Sequence, residues 1–136
     1  MTNNTLLKNG AIATLAAIII NVLLFLIGSL FTFPDNAITP MGTPVSIAPV
    51  IITTLLGGLF ATIGYLVLTK FMPERANQIM WVVAIIVLLG MAPSPFGITN
   101  VPVLQIIILE IMHIVAALPV YALTKSVNLL DLVQNR

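Results

Sequence analysis

The sequence predicts an all-α membrane protein: a bundle of four transmembrane helices with both termini in the cytoplasm. Three observations predict this fold class. The 136 residues are 60% hydrophobic and only 7% charged, whereas a soluble domain contains about 25% charged residues. Four apolar stretches, each close to the ~20 residues that cross a bilayer as a helix, are separated by proline-rich or charged segments. All basic residues fall on one side of that arrangement.

The first predicted span covers residues 10–31 and the second covers residues 46–69. The first is longer than the apolar core of a signal peptide, about 7–15 residues, so we expect an uncleaved helix. The intervening loop, residues 32–45, is rich in proline, which lacks the N–H donor that a helix requires. Pro49 falls in the first turn of the second span, where a missing N–H is tolerated.

The third predicted span covers residues 76–93 and the fourth covers residues 101–124. The third is the shortest, and it reaches ~20 residues only when both of its ends lie at the membrane interfaces. A charged connection with Lys70, Glu74 and Arg75 precedes it, and a Pro-Ser-Pro turn follows it. The whole chain, residues 1–136, is thus predicted to form a single membrane domain.

The positions of the basic residues predict the orientation of these four spans. With this topology every basic residue lies on the same side of the membrane: Lys8, Lys70, Arg75, Lys125 and Arg136. The two loops on the opposite side contain none. Because cytoplasmic segments of membrane proteins carry an excess of Lys and Arg, we expect both termini in the cytoplasm.

Small residues recur at helical spacing on one face of each of the first two spans. Lipid tails are as apolar as leucine, so membrane helices associate through close contact of small residues and through interhelical hydrogen bonds. We therefore expect helix packing through small residues in both spans. The predicted packing residues are Ala13 and Ala17 in the first span, and Gly57, Gly58, Ala61 and Gly64 in the second.

The fourth span has an unusual feature, a carboxyl group and the only histidine of the chain near the middle of an apolar helix. Glu110 and His113 are three residues apart, so their side chains can meet on a helix. Asn21 lies at a similar depth in the first span, and Tyr121 shares the helix face of Glu110 and His113. Since an ionisable group at that depth costs roughly 2.5–3.5 kcal/mol on insertion scales, these four residues are the candidate binding or proton-relay site.

Four roles remain open for this polar centre. A neutral, hydrogen-bonded Glu110–His113 pair would only fix the register of the helices. A pathway for protons or a small solute is the second role, because intramembrane Glu and His residues relay protons in transporters. Pro119 favours it slightly, since proline leaves the carbonyl of Val115 without its usual helical donor. The third role is a metal or pigment site, and the fourth is docking onto a larger membrane complex.

The spacing of Glu110 and His113 bears on the metal role. Glu-x-x-His is half of the pattern found in di-iron bundles, which need two such motifs and two further glutamates. The spans contain no other carboxylate, so no metal site is predicted within one chain. His113 is also a candidate axial ligand of a haem or another pigment, although nothing in the sequence requires a cofactor.

Other classes of function find little support. The absence of cysteine removes disulfides and thiolate chemistry. The serines lie at predicted helix ends or in loops, away from the depth of His113, so we expect no enzyme with a serine nucleophile. A net charge of +1 without a basic run disfavours nucleic acid as a partner. The expected partners are the lipid bilayer and either a second copy of the chain or a larger membrane complex.

The last helix resembles that of a known family. The stretch from Met112 to Pro119, Met-His-Ile-Val-Ala-Ala-Leu-Pro, follows the turn from Pro93 to Pro95, and the second helix follows Thr43-Pro44-Val45. These features resemble small bacterial four-helix membrane proteins that are classed as a domain of unknown function. The resemblance implies a four-helix architecture and a prokaryotic inner or plasma membrane. It implies no activity, substrate or cofactor, and it does not extend to Glu110.

Two functions from different classes therefore remain. The first is a proton-coupled or small-solute transporter that uses Glu110 and His113, and the alternative is a non-catalytic accessory or scaffold subunit. The substitution Glu110→Gln separates them. In a transporter it should abolish pH-dependent solute flux, and in a structural subunit it should change only the thermal stability.

Overall fold

The computed structural model describes residues 3–32, 38, 42, 44–99 and 101–125. In this part of the chain, four helical segments are long and apolar enough to cross a membrane. The chain is therefore a multi-pass membrane protein, and the predicted all-α, four-span fold class is confirmed. The regular α-helices are α1 (Asn3–Thr32), α2 (Ile47–Phe71), α3 (Ala76–Met91) and α4 (Val103–Val115).

Helix α1 is longer than the first predicted span, because it begins at Asn3 rather than at residue 10. Its 30 residues extend about 45 Å at 1.5 Å per residue, more than the ~30 Å hydrocarbon core. The extra turns contain polar side chains such as Lys8 and Asn9. These turns therefore suit the membrane interface rather than the hydrocarbon.

Helix α3 has only 16 residues and ends just before Pro93. A short 3-10 helix, Ser94–Gly97, follows it. Together they form an apolar helical segment of 22 residues, Ala76–Gly97, which is long enough to cross the membrane. The prolines allow the 3-10 turn because its first positions need no N–H donor.

The fourth membrane segment, Val103–Lys125, is interrupted in its interior. Regular helix ends at Val115, a turn follows at residues 116–117, and residues 118–125, the α4 extension, are helical again. Pro119 has no N–H to donate to the carbonyl of Val115. Just before it, the amide of Ala117 donates to the carbonyl of Ile114, three rather than four residues earlier, at 3.0 Å.

One end of the molecule, the basic end, carries the start of α1, the junction of α2 with α3, and the α4 extension. Buried apolar side chains from all of these segments form one cluster: Leu6, Tyr65, Ala76, Met80, Ala84, Val120 and Leu123. The basic residues of the described chain lie in the same segments: Lys8, Lys70, Arg75 and Lys125. The described chain therefore begins and ends at the same end of the fold. That this end faces the cytoplasm stays a prediction.

The opposite end, the loop end, brings together the connections that precede α2 and α4. Isolated antiparallel bridges join Ile38 to Pro44 and to Thr99, and the amide of Thr99 donates to the carbonyl of Ile38 at 3.2 Å. These bonds hold the two connections against each other. Most of residues 33–43 and the tail with Arg136 lie outside the described residues.

Helix α1 packs most extensively against α2, through two matching Gly-x-x-x-Thr segments. Gly10 faces Thr62 and Gly58 faces Thr14, so closely that a Cβ on either glycine would overlap the opposing threonine. Each threonine hydroxyl donates to the glycine carbonyl of its own segment, Thr14 at 2.7 Å and Thr62 at 2.8 Å. Both hydroxyls are thereby satisfied without water, as the interior of a membrane protein requires.

Candidate functional site

A cleft of about 180 Å³, the loop-end cleft, lies between the loop-end connections and the interior of the helices. Val45, Ser46 and Ile98 line it next to the connections, and Asn21 and His113 line its deeper part. Its other lining residues are Pro49, Val50, Thr53, Thr54, Met91, Leu109, Met112 and Ala116. The cleft therefore joins one end of the protein to polar side chains within the membrane-spanning helices.

Asn21 is the most buried polar group of this cleft, with 2% of its surface exposed. Its Nδ2 donates to Thr54 Oγ1 at 3.1 Å, which links α1 to α2. Its Oδ1 is buried and accepts no hydrogen bond from the described residues. Because a buried unsatisfied acceptor costs about 1–3 kcal/mol, water or a polar solute that reached this oxygen would be stabilised there.

His113 and Glu110 lie side by side on α4 without a hydrogen bond. His113 Nδ1 and Glu110 Oε2 are 3.9 Å apart, beyond the ~3.2 Å of an N–H···O hydrogen bond. Within the described part of the chain, His113 Nδ1 and Glu110 Oε1 are both buried and have no hydrogen-bond partner. Each residue therefore keeps an unused polar atom, which a small change of rotamer or one water molecule would satisfy.

Their surroundings distinguish the two residues. His113 lines the loop-end cleft, whereas Glu110 is not among its lining residues. The side chain of Glu110 is 31% exposed and that of His113 is 21% exposed. Glu110 is close to Ile107 and Ile114 on the helix, and both of these face outward. It therefore lies at the boundary between the cleft side and the lipid side of α4.

Tyr121 lies apart from the other candidate site residues. It follows the interruption of the fourth segment, near the basic end, and 48% of its surface is exposed. Its hydroxyl oxygen accepts a hydrogen bond from Lys125 Nζ at 2.9 Å. The structure thus brings Asn21 and His113 to one cleft, with Glu110 beside it, and places Tyr121 in a different groove.

Four of the predicted packing residues lie where helices meet. Ala13 and Ala17 are buried in α1, at 9% and 0% exposure. Gly58 is the α2 residue that faces Thr14. Ala61 is half-buried against the apolar cluster of the basic end.

The other two predicted packing residues, Gly57 and Gly64, lie away from such contacts. A Cβ built on either glycine would have no atom of the described chain within 4 Å, beyond its own helix and its neighbours. Gly57 is exposed, because successive residues of an α-helix are rotated by about 100° and Gly58 is the one that faces α1. The small-residue face of α2 is therefore narrower in this chain than the spacing predicts.

Sequence reasoning did not single out Gln105, which is fully buried. It lies near the start of α4, and a Cβ on Gly28 of α1 would be 3.2 Å from its Oε1. The sequence spacing places Thr54 on the packing face of the second span, but it did not predict the hydrogen bond from Asn21 to Thr54. The spacing of Gln105 with Leu109, Met112 and Ala116 would have placed it on the inward face of α4.

Metal-ligand residues are sparse in the part of the chain that the structure describes. No group of three or more His, Cys, Asp or Glu side chains lies close enough together there to hold an ion. Glu110 and His113 are a pair rather than a cluster. A metal ion at this pair would need further ligands beyond those that the described residues supply.

A family of unknown function, DUF6069, matches residues 2–128 of the chain. The chain belongs to this family. The match includes all four membrane segments, so the resemblance to a family of unknown function is confirmed, while the description of the family assigns no activity. No curated protein and no solved structure matches the chain.

Proposed function

We propose that this DUF6069 member is a membrane transporter for protons or a small polar solute, with the loop-end cleft as its binding site. The observation that carries the proposal is the cleft itself. It extends from the loop end to Asn21 and His113, and both have a buried polar atom without a partner among the described residues. Glu110, 3.9 Å from His113, supplies a second group that can bind or release a proton.

The size of the cleft limits what it can carry. Pockets for drug-sized ligands measure about 300–1,000 Å³, and the loop-end cleft measures about 180 Å³. A space of this size has room for a few water molecules. The proposed substrate is therefore a proton that moves along water, or a solute of a few heavy atoms, rather than a bulky organic compound.

The interruption of the fourth segment supports movement at this site. Ala116 lines the loop-end cleft, and Leu118, two residues later, lines a separate groove at the basic end. Both positions lie in the helical turn that a bond from residue 119 to the carbonyl of Val115 would close, and Pro119 has no N–H to make it. Helices bend at such points. A change in this bend would connect the Asn21–His113 site to one end of the protein at a time.

The proposed orientation places the basic end in the cytoplasm. Lys8, Lys70, Arg75 and Lys125 all lie at that end, as the positive-inside rule requires of cytoplasmic segments. The loop-end cleft would then open to the outer side. We also propose a prokaryotic plasma membrane as the location, on the basis of the resemblance of the last helix.

The test is proton flux into liposomes that contain the full-length protein and a pH-sensitive dye, driven by an imposed potassium diffusion potential. We expect wild-type flux above that of empty liposomes, and a decrease of about tenfold or more in His113→Ala, since positioned proton-transfer groups contribute about 10²–10⁴-fold to rates. Glu110→Gln, which keeps the side-chain shape, should remove the dependence of the flux on pH.

The control variant is Thr69→Ala, which changes a polar residue of α2 near the basic end, outside the loop-end cleft. Its hydroxyl donates to Leu66 O on its own helix at 3.0 Å. We expect this variant to keep the wild-type flux. Equal flux in wild type and His113→Ala, or wild-type flux no greater than that of empty liposomes, would refute the proposal for protons.

The second candidate is a non-catalytic accessory subunit of a larger membrane complex. It is favoured by Gly57 and Gly64, which have open space where a partner helix could approach. Small residues on an outward helix face are typical of helix–helix interfaces in membranes. This candidate predicts that liposomes containing the chain alone show no proton flux above background, so the same experiment separates it from proton transport.

A further inference from the structure

A second depression, the basic-end groove, lies between α1 and the α4 extension. Its volume is about 440 Å³, within the ~300–1,000 Å³ of small-molecule sites. Ala13, Ala16 and Leu118 line its apolar part, while Asn9, Tyr121 and Lys125 line it toward the helix ends. The groove therefore changes from apolar to polar along its length.

Lys125 supplies a positive charge at the polar end of this groove. Its ammonium group donates to Tyr121 Oη at 2.9 Å and lies 5.3 Å from the centre of the Tyr121 ring. Among the described residues, no carboxylate lies within 4 Å of the Lys125 ammonium group to neutralise it. Because Tyr121 accepts this bond through its oxygen, its own O–H hydrogen stays available as a donor.

We infer that the basic-end groove binds one anionic phospholipid of the adjacent leaflet. The headgroup phosphate lies at Lys125 and Tyr121, and one acyl chain follows Ala13, Ala16 and Leu118. The groove belongs to the membrane segments of α1 and Val103–Lys125, so most of its occupant must be apolar. A lipid combines such an apolar chain with a negative charge at the depth of the helix ends, where basic residues attract anionic lipids.

The inference is independent of transport, since it rests on the charge, polarity and size of this groove alone. None of its lining residues lines the loop-end cleft. A lipid in this position would contact both α1 and the α4 extension. It would thereby hold together the two elements on either side of the groove, next to the interruption at residues 116–117.

Native mass spectrometry of the full-length protein in detergent tests whether the charge of Lys125 contributes to lipid binding. The probes are dioleoyl phosphatidylglycerol, which is anionic, and dioleoyl phosphatidylcholine, which is zwitterionic with the same chains. We expect one tightly bound phosphatidylglycerol, and about fivefold weaker binding of it in Lys125→Gln, the effect of one basic residue near a membrane surface. The control, Arg75→Gln, removes an exposed charge at the same end but outside the groove and should change the affinity less than twofold.

A second pair of variants tests the apolar part. Ala16→Leu fills the groove, and we expect weaker binding of both lipids. Ala11→Leu adds the same volume to an exposed position of α1 that faces a groove with α2, and it should leave the binding unchanged. Inorganic phosphate added at the concentration of the lipid should not displace it, because the acyl chain contributes to the affinity.

Three outcomes would overturn the inference. Equal losses in Lys125→Gln and Arg75→Gln would show a general effect of surface charge. Wild-type affinity for phosphatidylglycerol in Ala16→Leu would show that no chain occupies the groove. Displacement by inorganic phosphate would show a site for the free anion rather than for a lipid. All four substituted side chains lie at the surface, so circular dichroism serves to verify that the variants fold.

Discussion

The contact of α1 with α2 and its contact with the fourth membrane segment use similar apolar helices but differ in how closely they pack. Against α2, Gly10 and Gly58 admit threonines whose hydroxyls are bonded within their own helices. On the other side, the glycine approach is looser, since a Cβ on Gly28 would stay 3.2 Å from Gln105, and two open spaces flank the interruption at residues 116–117. Close packing thus occurs where side chains are small and their hydroxyl groups are hydrogen-bonded within their own helix.

The same difference applies to polar groups. Thr14 and Thr62 complete their hydrogen bonds on their own helices, whereas Asn21, Glu110 and His113 each keep a buried atom without a partner in the described chain. In hydrocarbon no water is available to compensate such atoms. The glycine–threonine contacts of α1 with α2 therefore have the properties of a scaffold, and the unpaired polar atoms lie in or beside the loop-end cleft.

The comparison is tested most strongly at two adjacent glycines. Gly58→Ala puts a methyl group into Thr14, and overpacking of this kind typically costs 1–3 kcal/mol. We expect a loss of about 2 kcal/mol in the free energy of unfolding, measured by titration with sodium dodecyl sulfate in mixed micelles. Gly57→Ala, whose new methyl group meets nothing within 4 Å beyond its chain neighbours and the backbone of its own helix, should stay within about 0.5 kcal/mol of wild type. Similar losses in both variants would contradict the close α1–α2 contact.

In the fourth membrane segment, Pro119→Ala should restore the missing hydrogen bond to the carbonyl of Val115. A proline in a helix interior costs about 3 kcal/mol, but Pro119 is fully buried and alanine loses part of its packing. We expect a net gain of about 1 kcal/mol, with slower amide hydrogen exchange at Ala116 and Ala117. Pro49→Ala is the control, since the first turn of α2 needs no donor there. Unchanged exchange in Pro119→Ala would show that the proline does not cause the interruption.

The smallest expected effect lies where the two regions meet, at the hydrogen bond from Asn21 to Thr54. Thr54→Val keeps the shape and removes the acceptor. Interhelical hydrogen bonds in membrane proteins average about 0.6 kcal/mol, and we expect a loss of that size in the same titration. Thr53→Val is the matched control, because that hydroxyl bonds to Pro49 O on its own helix at 2.7 Å. If both variants behave alike, the Asn21 bond adds nothing to stability.

Much of the fold was predictable because it depends on local properties. The four membrane segments follow from the length and hydropathy of the apolar stretches. Both can be determined without knowing which helices pack together. The interruption in the fourth segment follows from the missing N–H of Pro119. The grouping of basic residues at one end follows from the alternation of four spans, although the side of the membrane on which they lie stays a prediction.

The candidate site was predictable only in part. Polarity alone identified Asn21, Glu110 and His113 as unusual within apolar helices, and the structure places all three in or beside one cleft. Polarity alone did not show that the two residues of α4 differ in position. His113 lines the cleft, whereas Glu110 lies at the boundary between the cleft side and the lipid side of the helix. The sequence also grouped Tyr121 with them, because helical spacing assumes a continuous helix. The interruption at residues 116–117 breaks that helix and places Tyr121 in different surroundings.

The sequence by itself determined that the helices suit a lipid bilayer and how many of them can cross it, since both depend on composition along the chain. Only the tertiary structure decided which side of each helix meets another helix. Gly57 and Gly58 are identical in chemistry and adjacent in sequence, yet only Gly58 faces Thr14. The reason is rotational: α-helix geometry turns neighbouring residues by about 100°, and the packing of whole helices decides which of the two faces a neighbour.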